Sequence, residues 1–516
     1  MNELVTHPQG DEKNQALALI SGPVAVDTFG GRVHVEWNPQ AAVTPLGQLP
    51  FFIEFLKVSG LFAPWVEQCP LGWDSPNAPR KRDVLGTALL SILSGHQRYA
   101  HINALRGEGV NPALLGMRKV VSEDSVRRGF SKMNEKDGVA WLQHHLERIY
   151  APLLSEPWIL DADVTVKPLY GHQEGAVRGY NPHKPGRPSH TYHTYLMANL
   201  RLVLEVEVQD GNQTASKYSA PGLWALLSRL PREHWPVLIR GDKDWGTQGN
   251  MARAEQEGLD YLFKLRLTQN VKRLLERLMR GNDWVNAGQG WQGADAQVRL
   301  SGWSHARRVV VLRRAVKRSL AVADQSQPQQ LRLSFTELAD DVAVYEYAVL
   351  VTSLKHEIVT LAQLYRDRAD GENSFDELKN HWGWGGFTTQ DIKRCRFMAR
   401  TTALIYNWWS LFVRLANPDQ HTEALTSRPL MLYAIGKQTQ HAGQARLTIS
   451  SSHVQAESVE ATFRRIAHFF KTLSATAEHL NPVQRWWGAF PYCGTLILGS
   501  LKVLIGLGHT YGSRVS

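Results

Sequence analysis

The stretch PWILDADVTVKPLYG, residues 157–171, decides the fold. Its apolar residues Ile159, Val164 and Val166 stand amid alternating polar positions, the two-residue period of a strand. Asp161 and Asp163 are two positions apart on that strand, so both point to one face. HTYLMANLRLVLEVEVQDG (193–211) is long enough for two paired strands. KYSAPGLWALLSRL (217–230) reads as a helix, and WPVLIRGDKDWG (235–246) as a buried strand ending in a Gly-Asp turn. QGNMARAEQEGL (248–259) is a second helix and DYLFKLRL (260–267) a further strand. The order β-β-β-α-β-α-β joins three antiparallel strands to parallel ones, an α/β sheet covered by helices.

Outward from this unit the pattern changes. Residues 1 to about 45 read as a polar arm followed by a short strand, GRVHVEWN (31–38). Residues 46–155 are mostly helical in pattern, with an amphipathic segment at 82–107. SEDSVRRGFSKM (122–133) opens on the N-cap residue Ser122 and presents Arg127, Arg128 and Lys132. That helix reads either as a DNA-groove element or as a solvated face. Residues 268–345 hold turn residues, short alternating runs, a basic strand (RRVVVLRRAVKRS, 307–319) and the low-complexity loop ADQSQPQQ (323–330), a β-rich insertion. VYEYAVLVTS (344–353) returns to the sheet. Long amphipathic helices follow beyond 400. The expected division is a helical region over 1–155, a sheet domain over 156–267 and 346–400, an insertion over 268–345, and a helical C-terminal region over 401–516.

Bulk properties narrow the partner. The chain has 516 residues and a formal net charge of +10. An anionic partner follows, with nucleic acid ahead of a membrane surface. Cys69, Cys395 and Cys493 are its only three cysteines, far apart, which argues against a zinc ribbon or a disulfide framework and for a cytoplasmic compartment. The start MNELVTHPQGDEKNQ is unlike a signal peptide. No apolar run reaches a membrane span; GTLILGSLKVLIGLGH (494–509) is broken by Lys502 and reads as a buried terminal segment.

LAQLYRDRADGENSFDELKNHWGW (361–384) reads as one helix. At 100° per residue, Tyr365, Arg368, Glu372 and Lys379 fall within about 60° of one another. Leu364, Phe375, Leu378 and Trp382 cluster beside them, so the polar stripe borders a buried face. Arg368 and Glu372 could be a plain i,i+4 surface pair. Alternatively Glu372 faces a site that Arg368 and Lys379 flank, meeting phosphates. Asp242 follows VLIRG at a strand's C-terminal end, where α/β sites form, although an aspartate there is also an ordinary turn residue. Carboxylates gathered from Asp161, Asp163, Asp242 and Glu372 call for a counter-charge, and oxygen ligands alone favour Mg²⁺ or Mn²⁺. Two such ions about 3.5–4 Å apart could activate water and stabilise the leaving oxygen of a phosphodiester.

Tyr365-x2-Arg368-x3-Glu372-x6-Lys379 matches the Y-(2)-R-(3)-E-(6)-K signature of the DDE transposases of the IS4 and IS1380 group. DADVT resembles that family's first-aspartate motif, with Asp163 two residues before Thr165; Asp161 is the alternative ligand or a supporting partner. RGDKDW resembles the second-aspartate motif GDxxF, with Trp245 in place of Phe. YGHQEGAVRGYNPHKPGRPSH (170–190) is similar to the segment after the first aspartate in IS1380-like members. The resemblance implies an RNase H-like catalytic core, interrupted by a β-rich insertion between Asp242 and Glu372. It further implies cut-and-paste transposition: two metal ions on Asp163, Asp242 and Glu372, double-stranded DNA as terminal inverted repeats and target, and a homodimer in the synaptic complex. In this frame Arg368 and Lys379 clamp phosphates and Tyr365 supports the strand near the cut.

Other residues fill out the expectation. His190 and His193 fall on opposite faces of a strand and lack a third ligand, so zinc is not expected. Lys184 and Arg187 are loop cations beside the site and candidate phosphate contacts. Trp284, Trp291 and Trp303 could hold a flipped base, but core packing is the commoner role. Arg307, Arg308, Arg313, Arg314, Lys317 and Arg318 read as backbone-phosphate contacts. The rival readings are a metal-dependent endonuclease without strand transfer, a catalytically inert DNA-binding remnant, and a glycosidase with paired carboxylates.

Overall fold

The computed structural model describes residues 23–38, 41–182, 184–281, 283–316, 344–418, 421–476 and 480–481. Lys317, Arg318, the loop at 323–330 and the apolar stretch at 494–509 lie outside them. Strands β1 (Val24–Thr28) and β2 (Gly31–Val35) form an exposed hairpin, and the two-residue β3 (Val43–Thr44) precedes the helices.

The strand that opened the sequence reading is β4 (Ile159–Pro168). After the two-residue β5 (Val177–Arg178), β6 (Pro188–Met197) pairs antiparallel with β4, and β7 (Leu202–Asp210) pairs antiparallel with β6. On its other side β4 runs parallel to β8 (Leu238–Gly241), which runs parallel to β9 (Asp260–Lys264). The order β7-β6-β4-β8-β9 is the RNase H-like arrangement: three antiparallel strands, then two parallel ones reached through the helices Ser216–Ser228 and Gln248–Gln256. Parallel pairing requires those crossovers, because a hairpin turn cannot reverse the chain twice in so few residues.

The block after β9 extends this same sheet. Strands β10 (Val285–Gly288), β11 (Trp291–Val298), β12 (Arg307–Val316) and β13 (Val344–Thr352) pair antiparallel in sequence, and β13 closes onto β9. The run Val309–Leu312 makes the extension possible, since it is buried on both faces. One face joins the main core; Val310 and Leu312 pack in a smaller cluster with Leu350, Leu361 and Leu364.

The helices depart from the expected pattern in two places. Lys81–Leu93 is buried on nearly every side rather than amphipathic, and its polar groups are satisfied internally. Asp83 accepts from the Arg118 N–H at 2.8 Å and Thr87 from the Val121 N–H at 3.0 Å. The helix Ile392–Ala416 runs unbroken through position 400, where a boundary was expected, and its apolar surface packs against the sheet and the helix Glu135–Tyr150. Beyond it lies a hairpin of β14 (Ile435–His441) and β15 (Gln444–Ser450), which the helical reading of 401–516 missed. Among the described residues no helix is long and apolar enough to cross a membrane.

Candidate active site

The β4–β8 register pairs Ala162 with Gly241, so Asp163, midway along β4, and Asp242, just past the C-terminal end of β8, follow as neighbours. Adjacent strands lie about 4.8 Å apart. The Asp242 carboxylate accepts from the Asp244 N–H at 2.9 Å, which fixes its orientation at the turn. Gly241 makes that turn possible: a Cβ there would meet the Trp245 ring at 2.5 Å, and Trp245 is packed beneath it. Burial, then repulsion from Asp163 and Asp244, pushes the Asp242 carboxyl up to about 6. Burial also raises Asp163 above the usual carboxylate range; Arg368 opposes the rise, while Glu372 and Asp161 add to it. Two neighbouring acids both raised in a recess are a candidate functional pair.

The segment 361–384 is not one helix. Ile358–Arg366 and Ala369–Asn380 are separate, joined by a tight turn at Asp367 and Arg368. The Arg368 N–H donates to Tyr365 O at 3.2 Å and the Gly371 N–H to Arg368 O at 2.9 Å, three-residue bonds that tighten the turn. The break re-aims Arg368. Its guanidinium bridges Asp163, at 2.9 Å, and Glu372, at 3.2 Å. Burial disfavours this charge, but Asp163, Asp161, Asp242 and Glu372 together hold the Arg368 pKa above its ordinary value. Glu372 stays open to solvent, with 65% of its side chain exposed.

Asp161 has a different environment. Arg240 grips it through Nε at 2.6 Å and Nη2 at 2.7 Å, and Nη1 donates to Leu364 O at 2.6 Å. Both partners are about 3% exposed. The helix carrying Glu372 passes directly over this pair, where a Cβ on Gly371 would lie 3.2 Å from Asp161 Oδ2. Sequence reasoning missed Arg240. The signal was an arginine inside the apolar run VLIRG, since arginine is almost never fully buried unless paired.

The remaining candidates divide. Lys379 lines a recess of about 140 Å³ together with Asp242, Lys243, Asp244 and Tyr180. Burial lowers its pKa; Asp376 and Asp163 pull it back up. Tyr365 packs beside the smaller core cluster, with the Lys264 ammonium 5.9 Å from its ring centre. Lys184 and Arg187 both stack on the exposed ring of Tyr170, at 4.9 and 4.8 Å, and the Lys184 ammonium donates to the Tyr170 hydroxyl. Arg127 and Arg128 each pair with Asp124 on their own helix, so their charge is partly neutralised locally. In the insertion, Arg313 lies 3.8 Å over Trp284 and Arg314 5.0 Å over Trp291, while Trp303 is buried. His190 contacts Glu174 O and His193 contacts Ser219, so the two serve different neighbours.

Among the described residues no three His, Cys, Asp or Glu side chains stand together as a ready metal cluster, because the guanidinium stands between Asp163 and Glu372. The donor chemistry nonetheless fits a hard divalent cation. Asp163, Asp242 and Glu372 offer oxygen only, and the repulsion between Asp163 and Asp242 is what a cation would relieve.

The family model described as transposase DDE domain group 1 matches residues 75–470. No curated protein matches the chain. Among solved structures, a cryo-EM structure of a piggyBac transposase synaptic complex with hairpin DNA is similar at 10% identity, over 84% of this chain and 83% of that chain, with a TM-score of 0.41. The matched span takes in the sheet, the Asp163–Asp242 pair and the helix bearing Glu372, and the chain belongs to the transposase DDE domain group 1 family.

Proposed function

We propose that this chain is a cut-and-paste transposase of the IS4 and IS1380 group. It binds the terminal inverted repeats of its own element, pairs two ends as a homodimer, cleaves each end, and directs the freed 3′-hydroxyl into target DNA. The observation that supports this reading best is the Asp163–Asp242 pair on the adjacent parallel strands β4 and β8, joined to Glu372 through Arg368. These three acids would hold two Mg²⁺ or Mn²⁺ ions, which when bound supply water activation and charge neutralisation at the leaving oxygen. Asp163 is the first ligand rather than Asp161, because Arg240 holds both oxygens of Asp161.

The protein groups position the DNA. Arg368 releases the carboxylates and turns to a phosphate, since a guanidinium serves either anion by the same two-pronged geometry. Lys379, which lines the recess beside Asp242, would contact phosphate, Lys184 and Arg187 would be further phosphate contacts, and Tyr365 would support the strand near the cut. The four parts are a helical DNA-binding region before 156, the sheet domain, the insertion strands and the C-terminal region that pairs the ends.

Incubation with the DNA that flanks its coding region, plus Mg²⁺, and mapping of the cut ends tests the reading. Glu372→Gln should bind the ends and cut none of them. Cleavage without joining to a target plasmid would instead make the protein an endonuclease, and end-binding lost with Glu372→Gln would recast Glu372 as structural.

A further inference from the structure

The hairpin β14–β15 has no counterpart among the elements read from the sequence, and the site described above does not use it. Its register pairs Lys437 with Thr448, Thr439 with Arg446, and His441 with Gln444, so these six side chains share one face. All six are exposed. The turn residues Ala442 and Gly443 both have positive φ, at 48° and 76°, the two-residue geometry whose twist matches a hairpin. Among the described residues the opposite face is anchored only at its base. Gly436 packs on Gly47, where a Cβ would lie 2.7 Å from Ala434 O, and the Gln438 N–H donates to Ala42 O at 2.8 Å. The outer part of the ribbon therefore projects from the body.

The chemistry of the projecting face is one-sided. From Leu432 to Ala456 the sequence contains no aspartate or glutamate. Among the described residues neither Lys437 nor Arg446 forms an ion pair, whereas the buried arginines Arg240, Arg307, Arg368 and Arg400 each do. A row of cations and hydroxyl or amide donors on an exposed ribbon, with no acid beside them, matches a polyanion. The major groove of duplex DNA admits a two-stranded ribbon, and seven residues per strand span about 23 Å, long enough to follow it.

The ribbon is also braced to the helix that carries Glu372. Arg428, on the helix Ala424–Met431 just before β14, donates to His381 O and, at 3.0 Å, to Ile92 O. His421 bonds Glu377 at 2.7 Å, and the Ala424 N–H donates to the same carboxylate at 2.8 Å. A duplex held on the ribbon would thus be held in fixed relation to Glu372 and Lys379.

We propose that β14–β15 is a DNA-binding ribbon that enters the major groove of duplex DNA and presents Lys437, Thr439 and Arg446 to it. The inference rests on the reading of the chain as a DNA transposase for the identity of the polyanion. The test compares wild type with Lys437→Ala/Arg446→Ala in the full chain, using labelled end DNA over a salt series. Losing two phosphate contacts should reduce the slope of log affinity against log salt by about 1.8 and weaken binding about tenfold at moderate salt. Dimethyl sulfate protection of guanine N7 in one flank should disappear in the variant, while an unchanged melting midpoint shows that the fold survives. Thr439→Ala should leave the salt slope alone and weaken binding two- to fivefold.

An unchanged slope and footprint in a variant that still binds ends would overturn the ribbon proposal while leaving the transposase reading intact. A loss of dimerisation with an unchanged footprint would overturn it too, assigning the ribbon to a second copy of the chain. Wild type that binds and cuts no end DNA would overturn the transposase reading itself.

Discussion

Two carboxylates on one strand, two residues apart, each meet a guanidinium, and the consequences are opposite. Asp161 and Arg240 are enclosed, and every strong acceptor and donor between them is matched. Asp163 and Arg368 sit one strand-pleat higher, beside Asp242 and under the open Glu372. There the guanidinium contacts Asp163 and Glu372 in the field of Asp161 and Asp242 as well, and burial raises Asp163 and Asp242. The residue types are the same in both places. What separates the structural pair from the candidate site is an excess of like charge and a path to solvent.

The largest effect should come from the enclosed pair. Arg240→Met leaves Asp161 buried and alone, and should cost about 3–5 kcal/mol in denaturant unfolding. Asp163→Asn should leave folding nearly untouched and reduce end cleavage at least about a thousandfold, equivalent to about 4 kcal/mol of transition-state stabilisation. If Asp163→Asn unfolds the protein and Arg240→Met does not, the two roles are reversed.

Removing the guanidinium from the open site should act in the other direction. Arg368→Ala should tighten Mn²⁺ binding about tenfold without DNA, measured by titration, because no internal cation then competes for Asp163 and Glu372. The sign for Asp242 is also fixed. Its carboxyl is held up at about 6, above the unfolded value, so the folded protein retains a proton that the unfolded chain loses. Stability from this group therefore falls as pH rises toward 6, and Asp242→Asn should stabilise the metal-free protein at pH 7 by on the order of 1 kcal/mol. The same proton competes with a cation, so metal affinity should weaken as pH drops below about 6, approaching tenfold per unit. The smallest effect belongs to an exposed pair: Arg128→Ala should change stability by less than about 1 kcal/mol.

Much of this was legible in one dimension. A two-residue period placed Asp161 and Asp163 on one face, and the apolar run ahead of Asp242 placed it at a strand end. The order of strands and helices was readable because local periodicity reports which face of each element is buried. The break at Asp367 and Arg368 was not, because the helical period runs through it. Its cause is tertiary: the second helix must seat Gly371 against Asp161. The hairpin at 435–450 escaped for the opposite reason, since a ribbon exposed along most of its length leaves no burial pattern to read.

Residue chemistry and spacing, which the chain carries locally, determined that three acids, an arginine and a lysine would be present in DDE order. Which of two aspartates Arg240 would bury, and that Arg368 would stand between Asp163 and Glu372, depended on side chains up to 205 positions apart. Only the packed sheet brings such groups into contact, because charge pairing acts over a few ångströms and the unfolded chain holds no such distance.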